Sequence, residues 1–212
     1  MKILLVGDVH FSQYSSIVRK RGEFYSKRLE NCIKSLKWVE ELSEQEQCDS
    51  IVYLGDFFDK SDLNAEEITA LQEISWCEDV QHIFLTGNHE LGGASYSSAQ
   101  LMHQIPFTYV IDHPAVAPIH FWKDKSITKD RVFLIPYLKD EAARTSVEEK
   151  LQKLWINKEE GAKLIVLSHN DLGGVQMGQF LSKEGLDVDL ISSNCDLFIN
   201  GCRECCFYRR CT

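Results

Sequence analysis

The feature that most constrains the fold is a series of short apolar runs, each stopping abruptly at glycine or polar residues. Lys2 to Val6 ends at Gly7-Asp8-Val9-His10, Ser50 to Leu54 at Gly55-Asp56, and His82 to Thr86 at Gly87-Asn88-His89-Glu90. Lys163 to Leu167 ends at Ser168-His169-Asn170, and Asp196 to Ile199 at Asn200-Gly201. Runs of aliphatic and β-branched residues this short, flanked by glycine, suit buried strands better than helices.

Helical patterns lie between the runs. Leu29, Cys32, Ile33, Leu36, Val39 and Leu42 form one stripe, which predicts an amphipathic helix over residues 27 to 47. Asn64 followed by Glu67 matches a capping box opening a second helix with Ile68, Leu71 and Ile74. Residues 139 to 158 predict a charged helix with Val147, Leu151 and Leu154 inward. Strands alternating with helices give an α/β fold. Around Pro106, Pro114, Pro118 and Pro136, the runs Ile119 to Trp122 and Arg131 to Ile135 predict a hairpin across Lys123 to Asp130. The chain has 212 residues, 44% of them hydrophobic and 26% charged, enough for a core, and no repeat or Gly/Ser linker divides it.

The net charge of −9 argues against broad phosphate-backbone binding by the chain alone, although bound divalent cations would invert the balance in an acidic pocket. The N-terminal apolar stretch is broken by Asp8, too short for a signal peptide or membrane span, so a cytoplasmic location without membrane contact is expected. Eight cysteines are placed unevenly, with Cys202, Cys205, Cys206 and Cys211 crowded at the end, which fits reduced thiols better than a disulfide framework.

Ligands of open α/β sheets bind beyond the carboxyl ends of the strands, where four of these runs deliver Asp, Asn or His. Asp8 and His10, two apart, should face the same way by strand alternation. The set Asp8, His10, Asp56, Asn88, His89 and His169 is rich in oxygen and nitrogen and lacks cysteine, which suits a pair of divalent cations such as manganese, iron or zinc. Asp59 fits a loop or helix-start hydrogen-bonding group better than a ligand, and His82, His103, His113 and His120 fit core or surface positions.

In order, Asp8-x-His10, Gly55-Asp56-x-x-Asp59, Gly87-Asn88-His89-Glu90 and Ser168-His169 resemble the motifs of the calcineurin-like metallophosphoesterase superfamily over residues 1 to 201. The resemblance implies a four-layer α/β sandwich. It also implies that Asp8 and His10 hold one metal, that Asp56 bridges both, and that Asn88 and His169 hold the second. His89 would face the phosphate as general acid or transition-state stabiliser, oriented by Glu90. A shared carboxylate can hold two cations roughly 3.5–4 Å apart, which activates water and clamps the in-line oxygens.

Within the superfamily, the insertion Phe11 to Tyr25, the stretch Leu54-Gly55-Asp56-Phe57-Phe58-Asp59 and Leu134-Ile135-Pro136-Tyr137 resemble the SbcD-type nuclease branch in its short phage-encoded form. That resemblance implies a DNA exonuclease using two divalent cations, manganese first, with iron or zinc as alternatives. It also implies an SbcC-like ATPase partner and a homodimer. Arg19, Lys20 and Arg21, with Lys27 and Arg28, form the most basic stretch, which either tracks a DNA backbone or is a solvated helix face. A phosphatase or phosphodiesterase on small or protein phosphate esters, and an inactive partner-binding subunit, are the alternatives.

The motif order breaks at the end. Where family members carry Gly-His-x-His, this chain reads Gly201-Cys202-Arg203-Glu204 and finishes at Thr212. Cys202 and Glu204 could substitute as ligands, the four terminal cysteines could form a zinc cluster, or residues 202 to 212 could be a frame-shifted or truncated tail, the reading the composition favours. On that reading residues 1 to 201 form a domain incomplete at its C-terminus. Part of the second sheet is missing, a sheet edge is exposed, and metal affinity and turnover are reduced.

Overall fold

The computed structural model describes residues 2–14, 20–92, 96–120, 127–177, 180–181, 184–202 and 207–210. Strands β1 (Ile3–Val6), β2 (Ser50–Tyr53), β3 (Gln81–Leu85) and β4 (Thr108–Ile111) make an all-parallel sheet in that order. Helices α1 (Lys27–Gln45) and α2 (Ala65–Gln72) cross between its first three strands. The second sheet contains β5 (Ala115–His120), β6 (Ile127–Ile135), β7 (Leu164–Ser168), β8 (Leu197–Asn200) and β9 (Phe207–Arg210), in the order β9-β8-β7-β6-β5. Its centre, β6-β7-β8, is parallel, and both edge pairings are antiparallel. Helix α3 (Glu141–Ile156) joins β6 to β7, and the short α4 (Val188–Ser193) precedes β8.

Residue alternation explains why the strands read as unbroken apolar runs. In β2, Ile51 and Tyr53 pack toward α1 and α2, while Val52 joins Leu54 and Leu85 of the first sheet against Val132, Leu134 and Leu167 of the second. In β6, Phe133 and Ile135 face the other way, onto Val147 and Leu151 of α3 and Ile191 of α4. Each central strand is therefore covered on both faces, by a helix layer outside and the other sheet inside. The result is the expected α/β sandwich, an all-parallel sheet and a mixed sheet packed between two helix layers.

Local signals fix the helix starts. Ser26 Oγ accepts the Leu29 N–H at 3.2 Å, Asn64 and Glu67 form the capping box, and Asp140 accepts the Ala143 N–H at 2.7 Å. The predicted hairpin is present as β5 and β6, but β5 starts four residues before the run Ile119 to Trp122, whose last two residues lie outside the described residues, and β6 begins at Ile127, inside the expected link. Phe207–Arg210, from the terminal stretch, pairs antiparallel along β8, Asn200 opposite Phe207 and Leu197 opposite Arg210, so that β9 forms this edge of the sheet. A strand needs only backbone pairing on such an edge, so its unusual composition did not prevent it. Among the described residues, no helix is long and apolar enough to cross a membrane.

Candidate metal centre

The loops after β1 and β2 are tied together by backbone hydrogen bonds, His10 N–H to Asp56 C=O at 2.9 Å and Phe11 N–H to Phe57 C=O at 2.7 Å. Beneath them Phe11, Tyr53, Phe57, Phe58 and Phe84 stack and cross edge to face, and each is fully buried or nearly so. This aromatic floor fixes the height of Asp8, His10 and Asp56 above the sheet. All three have left-handed backbone, with φ of 46°, 45° and 48°. Asp and His tolerate that region better than most residues, yet each such residue still costs about 1–3 kcal/mol. Strand alternation is therefore not what aims Asp8 and His10: β1 stops at Val6, and two left-handed turns aim them instead.

Two glycines let the loops close. Gly55 has φ +81° and a Cβ there would lie 2.3 Å from His169 Cγ, while a Cβ on Gly87 would lie 2.1 Å from Asp56 Oδ1. Close approach at both positions brings β2, β3 and β7 to one point.

At that point two groups of ligand atoms, each within 4.8 Å of one another, share one carboxylate: Asp8, Asp56 and His169, and His10, Asp56 and His89. His169 Nδ1 meets the Leu54 carbonyl at 2.6 Å, and its Nε2 stands 3.1 Å from Asp56 Oδ2. His10 Nε2 stands 3.8 Å from Asp8 Oδ1 and 4.0 Å from Asp56 Oδ2, while its Nδ1 is 3.1 Å from Asp59 Oδ1. The His89 N–H donates to Asp56 Oδ1 at 3.0 Å, and its ring Nδ1 meets the Asp59 carbonyl at 3.0 Å. Asn88 lines the same cavity, about 400 Å³, with Arg28, Tyr137, Asp171 and Cys202.

Asp59 and Glu90 exchange the parts expected of them. Glu90 is fully buried and does not orient the His89 ring; its carboxylate accepts the N–H groups of Gly87 (2.7 Å), Phe58 (2.8 Å) and Asp56 (3.2 Å). It is a brace between loops, and Asp59 orients both His10 and His89. Burial, reinforced by the nearby Asp56 charge, pushes the Glu90 carboxyl up to about 7 against the N–H groups of Phe58 and Gly87. Burial would also raise Asp56, but the His169 imidazole and the His89 N–H hold it below the ordinary aspartate range. Burial would lower His169, and the Asp56 carboxylate raises it instead.

His10 Nε2 is as near to Asp8 as to Asp56, so the pairing of His10 with Asp8 that the resemblance implies stands beside its grouping with His89, and Asn88 lines the same cavity. Lysine and arginine positions differ among themselves. Among the described residues of the basic stretch, Arg28 alone reaches the cavity, where its guanidinium donates to the His10 carbonyl at 2.9 Å. Arg21 contacts Glu66 and the Phe24 carbonyl outside it, Lys20 is exposed, and Arg19 lies outside the described residues. Cys202 is buried at the cavity wall, but its thiol belongs to neither ligand group, and Glu204 lies outside the described residues. His82 is a core residue, His103 and His113 are exposed, and nothing is described of the His120 side chain. Asp171, two residues after His169, was not anticipated.

The residues fit divalent cations. Asp8, Asp56, Asp59 and Asp171 converge on a cavity whose walls, among the described residues, carry one guanidinium, and the buried His169 Nε2 faces the Asp56 carboxylate at 3.1 Å. A neutral imidazole nitrogen and a carboxylate aimed at one point offer a divalent cation two ligand atoms of the kind it prefers.

The family model described as calcineurin-like phosphoesterase matches residues 1–201. The chain belongs to that family. No curated protein matches this phosphoesterase. Among solved structures it is similar to a protein of unknown function from Aquifex aeolicus, at 15% identity and a TM-score of 0.44, over 95% of this chain and 90% of that one. It is also similar to a dimetal phosphatase from Danio rerio, at 13% identity and a TM-score of 0.44, over 82% of this chain and 70% of that one. Membership makes this phosphoesterase a metal-dependent hydrolase of phosphate esters, in a family that typically holds two divalent cations.

Proposed function

We propose that the chain hydrolyses phosphodiesters with two divalent cations, manganese first, as an SbcD-like DNA nuclease. The supporting observation is that both ligand groups share the Asp56 carboxylate. Asp8 and His169 would complete one site, His10 the other, and Asn88 would add an amide oxygen. Bound there, the cations would polarise the phosphoryl oxygens and lower the pKa of water.

His89 has two candidate roles: it belongs to a ligand group, yet its side chain is 41% exposed, the most open of the set. We assign it to the substrate. With Nδ1–H donating to the Asp59 carbonyl, Nε2 faces outward, where a proton on it can pass to the leaving oxygen. Arg28 stiffens the His10 loop, and Glu90 keeps Asp56 and Gly87 in register. An SbcC-like ATPase partner and a homodimer belong to the same reading, and a DNA-bound cation pair would offset the chain's acidity.

Hydrolysis of bis(p-nitrophenyl) phosphate tests this. Manganese-dependent turnover, abolished by EDTA and by Asp56→Asn, is expected. Turnover of p-nitrophenyl phosphate alone would make the chain a phosphomonoesterase, and turnover indifferent to Asp56→Asn would remove the metal site from the reaction.

A further inference from the structure

The metal cavity adjoins a cleft along α3, and the cleft in turn adjoins a basin. Tyr137 lines both the metal cavity and the cleft, which is about 720 Å³ and walled by Tyr96 and Gln100 on one side and Ala143 and Ser146 of α3 on the other, with Asp112 and Asp140 set against Lys139 and Lys150 in its lining. Lys150 lines that cleft and also a basin of about 300 Å³ toward the far end of α3. The basin is walled by Lys129, Arg131, Lys150, Lys153, Lys158 and Lys163, against one acidic residue, Glu159.

In a chain of net charge −9, such a concentration of cations is not an average surface. Lys129 is paired with Glu159 at 3.1 Å, and Lys158 and Lys163 with Asp196 at 2.8 and 3.2 Å. Lys150 and Lys153 have no carboxylate partner among the described residues; Lys150 Nζ rests on the Pro114 carbonyl and over the Phe133 ring. Tyr96, 82% exposed, keeps a ring in solvent at the edge of the cleft, and Tyr137 stands half-buried where cleft and metal cavity meet. A cationic basin beside a cleft of balanced charge that carries aromatic rings supplies what a single polynucleotide strand requires: charges for its phosphates and flat faces for its bases.

We propose that these three depressions form one track for single-stranded nucleic acid. A phosphodiester sits at the metals, the neighbouring bases lie against Tyr137 and Tyr96, and later phosphates enter the lysine basin. The track rests on the phosphodiesterase reading for its direction and for the phosphate at the metals, but binding along the cleft and the basin requires neither metals nor turnover. An acidic protein segment would meet the basin charges and leave the aromatic cleft unused, so the observations favour the polynucleotide.

The test is fluorescence anisotropy of a labelled oligothymidylate of about 12 nucleotides, in EDTA, across a salt series. Each phosphate neutralised contributes about 0.7 to the log–log salt slope for single strands. Lys150→Gln with Lys153→Gln should flatten the slope by about 1.4, so that between about 50 and 200 mM salt the variant loses about sevenfold less affinity than the native chain. Tyr96→Ala should weaken binding about fivefold or more without changing the slope. Lys34→Gln with Lys37→Gln, exposed on α1, should change neither, and thermal midpoints of all variants report folding. An unchanged slope in the Lys150/Lys153 variant, or an equal effect on binding of a poly-glutamate peptide, overturns the track. Because no cation is present, failure of hydrolysis would leave this result readable, and failure of binding would leave the hydrolysis result standing.

Discussion

His10 Nδ1 lies 3.1 Å from Asp59 Oδ1, while its other nitrogen faces Asp8 and Asp56 at 3.8 and 4.0 Å. A carboxylate behind an imidazole holds the ring's orientation and raises its basicity as a ligand. Asp59→Ala should therefore weaken manganese binding about 10- to 100-fold without removing a ligand. Titration calorimetry checks this, and native affinity in the variant would reduce Asp59 to a loop residue.

The resemblance sets Cys202 at the first histidine of the family's last motif, yet its thiol, at the cavity wall, belongs to neither ligand group. A cysteine side chain is shorter than an imidazole and reaches less far into the cavity. Cobalt-substituted protein is expected to lack a thiolate-to-metal charge-transfer band, and Cys202→Ala should leave its visible spectrum unchanged. A band that vanishes in that variant would make Cys202 a ligand and shift the preferred metal toward zinc.

A buried network behind the first sheet can be separated from the site. Glu40 accepts from the Tyr53 hydroxyl at 3.2 Å and the Cys77 N–H at 3.0 Å, and faces His82 Nε2 at 3.0 Å. Glu40→Leu leaves buried partners unpaired and should cost about 3 kcal/mol by urea unfolding. Turnover per folded molecule should not change. A loss below about 1 kcal/mol would mean that water enters and satisfies those groups.

Asp196 supplies the pH dependence. Burial would raise its carboxyl, but hydrogen bonds from Lys158, the Leu164 N–H and Lys163 hold it below the ordinary aspartate range. A lowered folded pKa contributes stability above the unfolded value, near about 4, that is lost as the pH falls through the folded one. The stability gap between the native chain and Asp196→Asn should thus be full at pH about 7 and shrink toward pH about 3. A gap of equal size at both pH values would contradict the pairing.

The sandwich was legible because central strands covered on both faces become continuous apolar runs, as in β2 and β6. Strand β4 was missed because Thr108-Tyr109-Val110-Ile111 is an edge strand with a partly exposed face, close after Pro106. Helix α4, Val188–Ser193, is too short to show a periodic stripe, and β9 draws on a cysteine- and arginine-rich stretch that carries no strand signal. The site residues were found from their order along the chain, whereas their aim was misread, since spacing does not reveal the left-handed backbone of Asp8, His10 and Asp56. Asp171 had a signal that was passed over: it follows His169 on the loop after β7, where that strand's carboxyl end opens into the cavity. The exchange between Asp59 and Glu90 depends on which loop is buried, and only packing decides that.

Everything chemical turns on whether Asp56 serves two cations at once. Anomalous difference maps from crystals soaked in manganese measure that directly. Two peaks are expected on either side of the Asp56 carboxylate, one beside Asp8 and His169 and the other beside His10. A lone peak, or peaks that leave Asp56 untouched, would contradict a shared carboxylate and with it the two-metal mechanism.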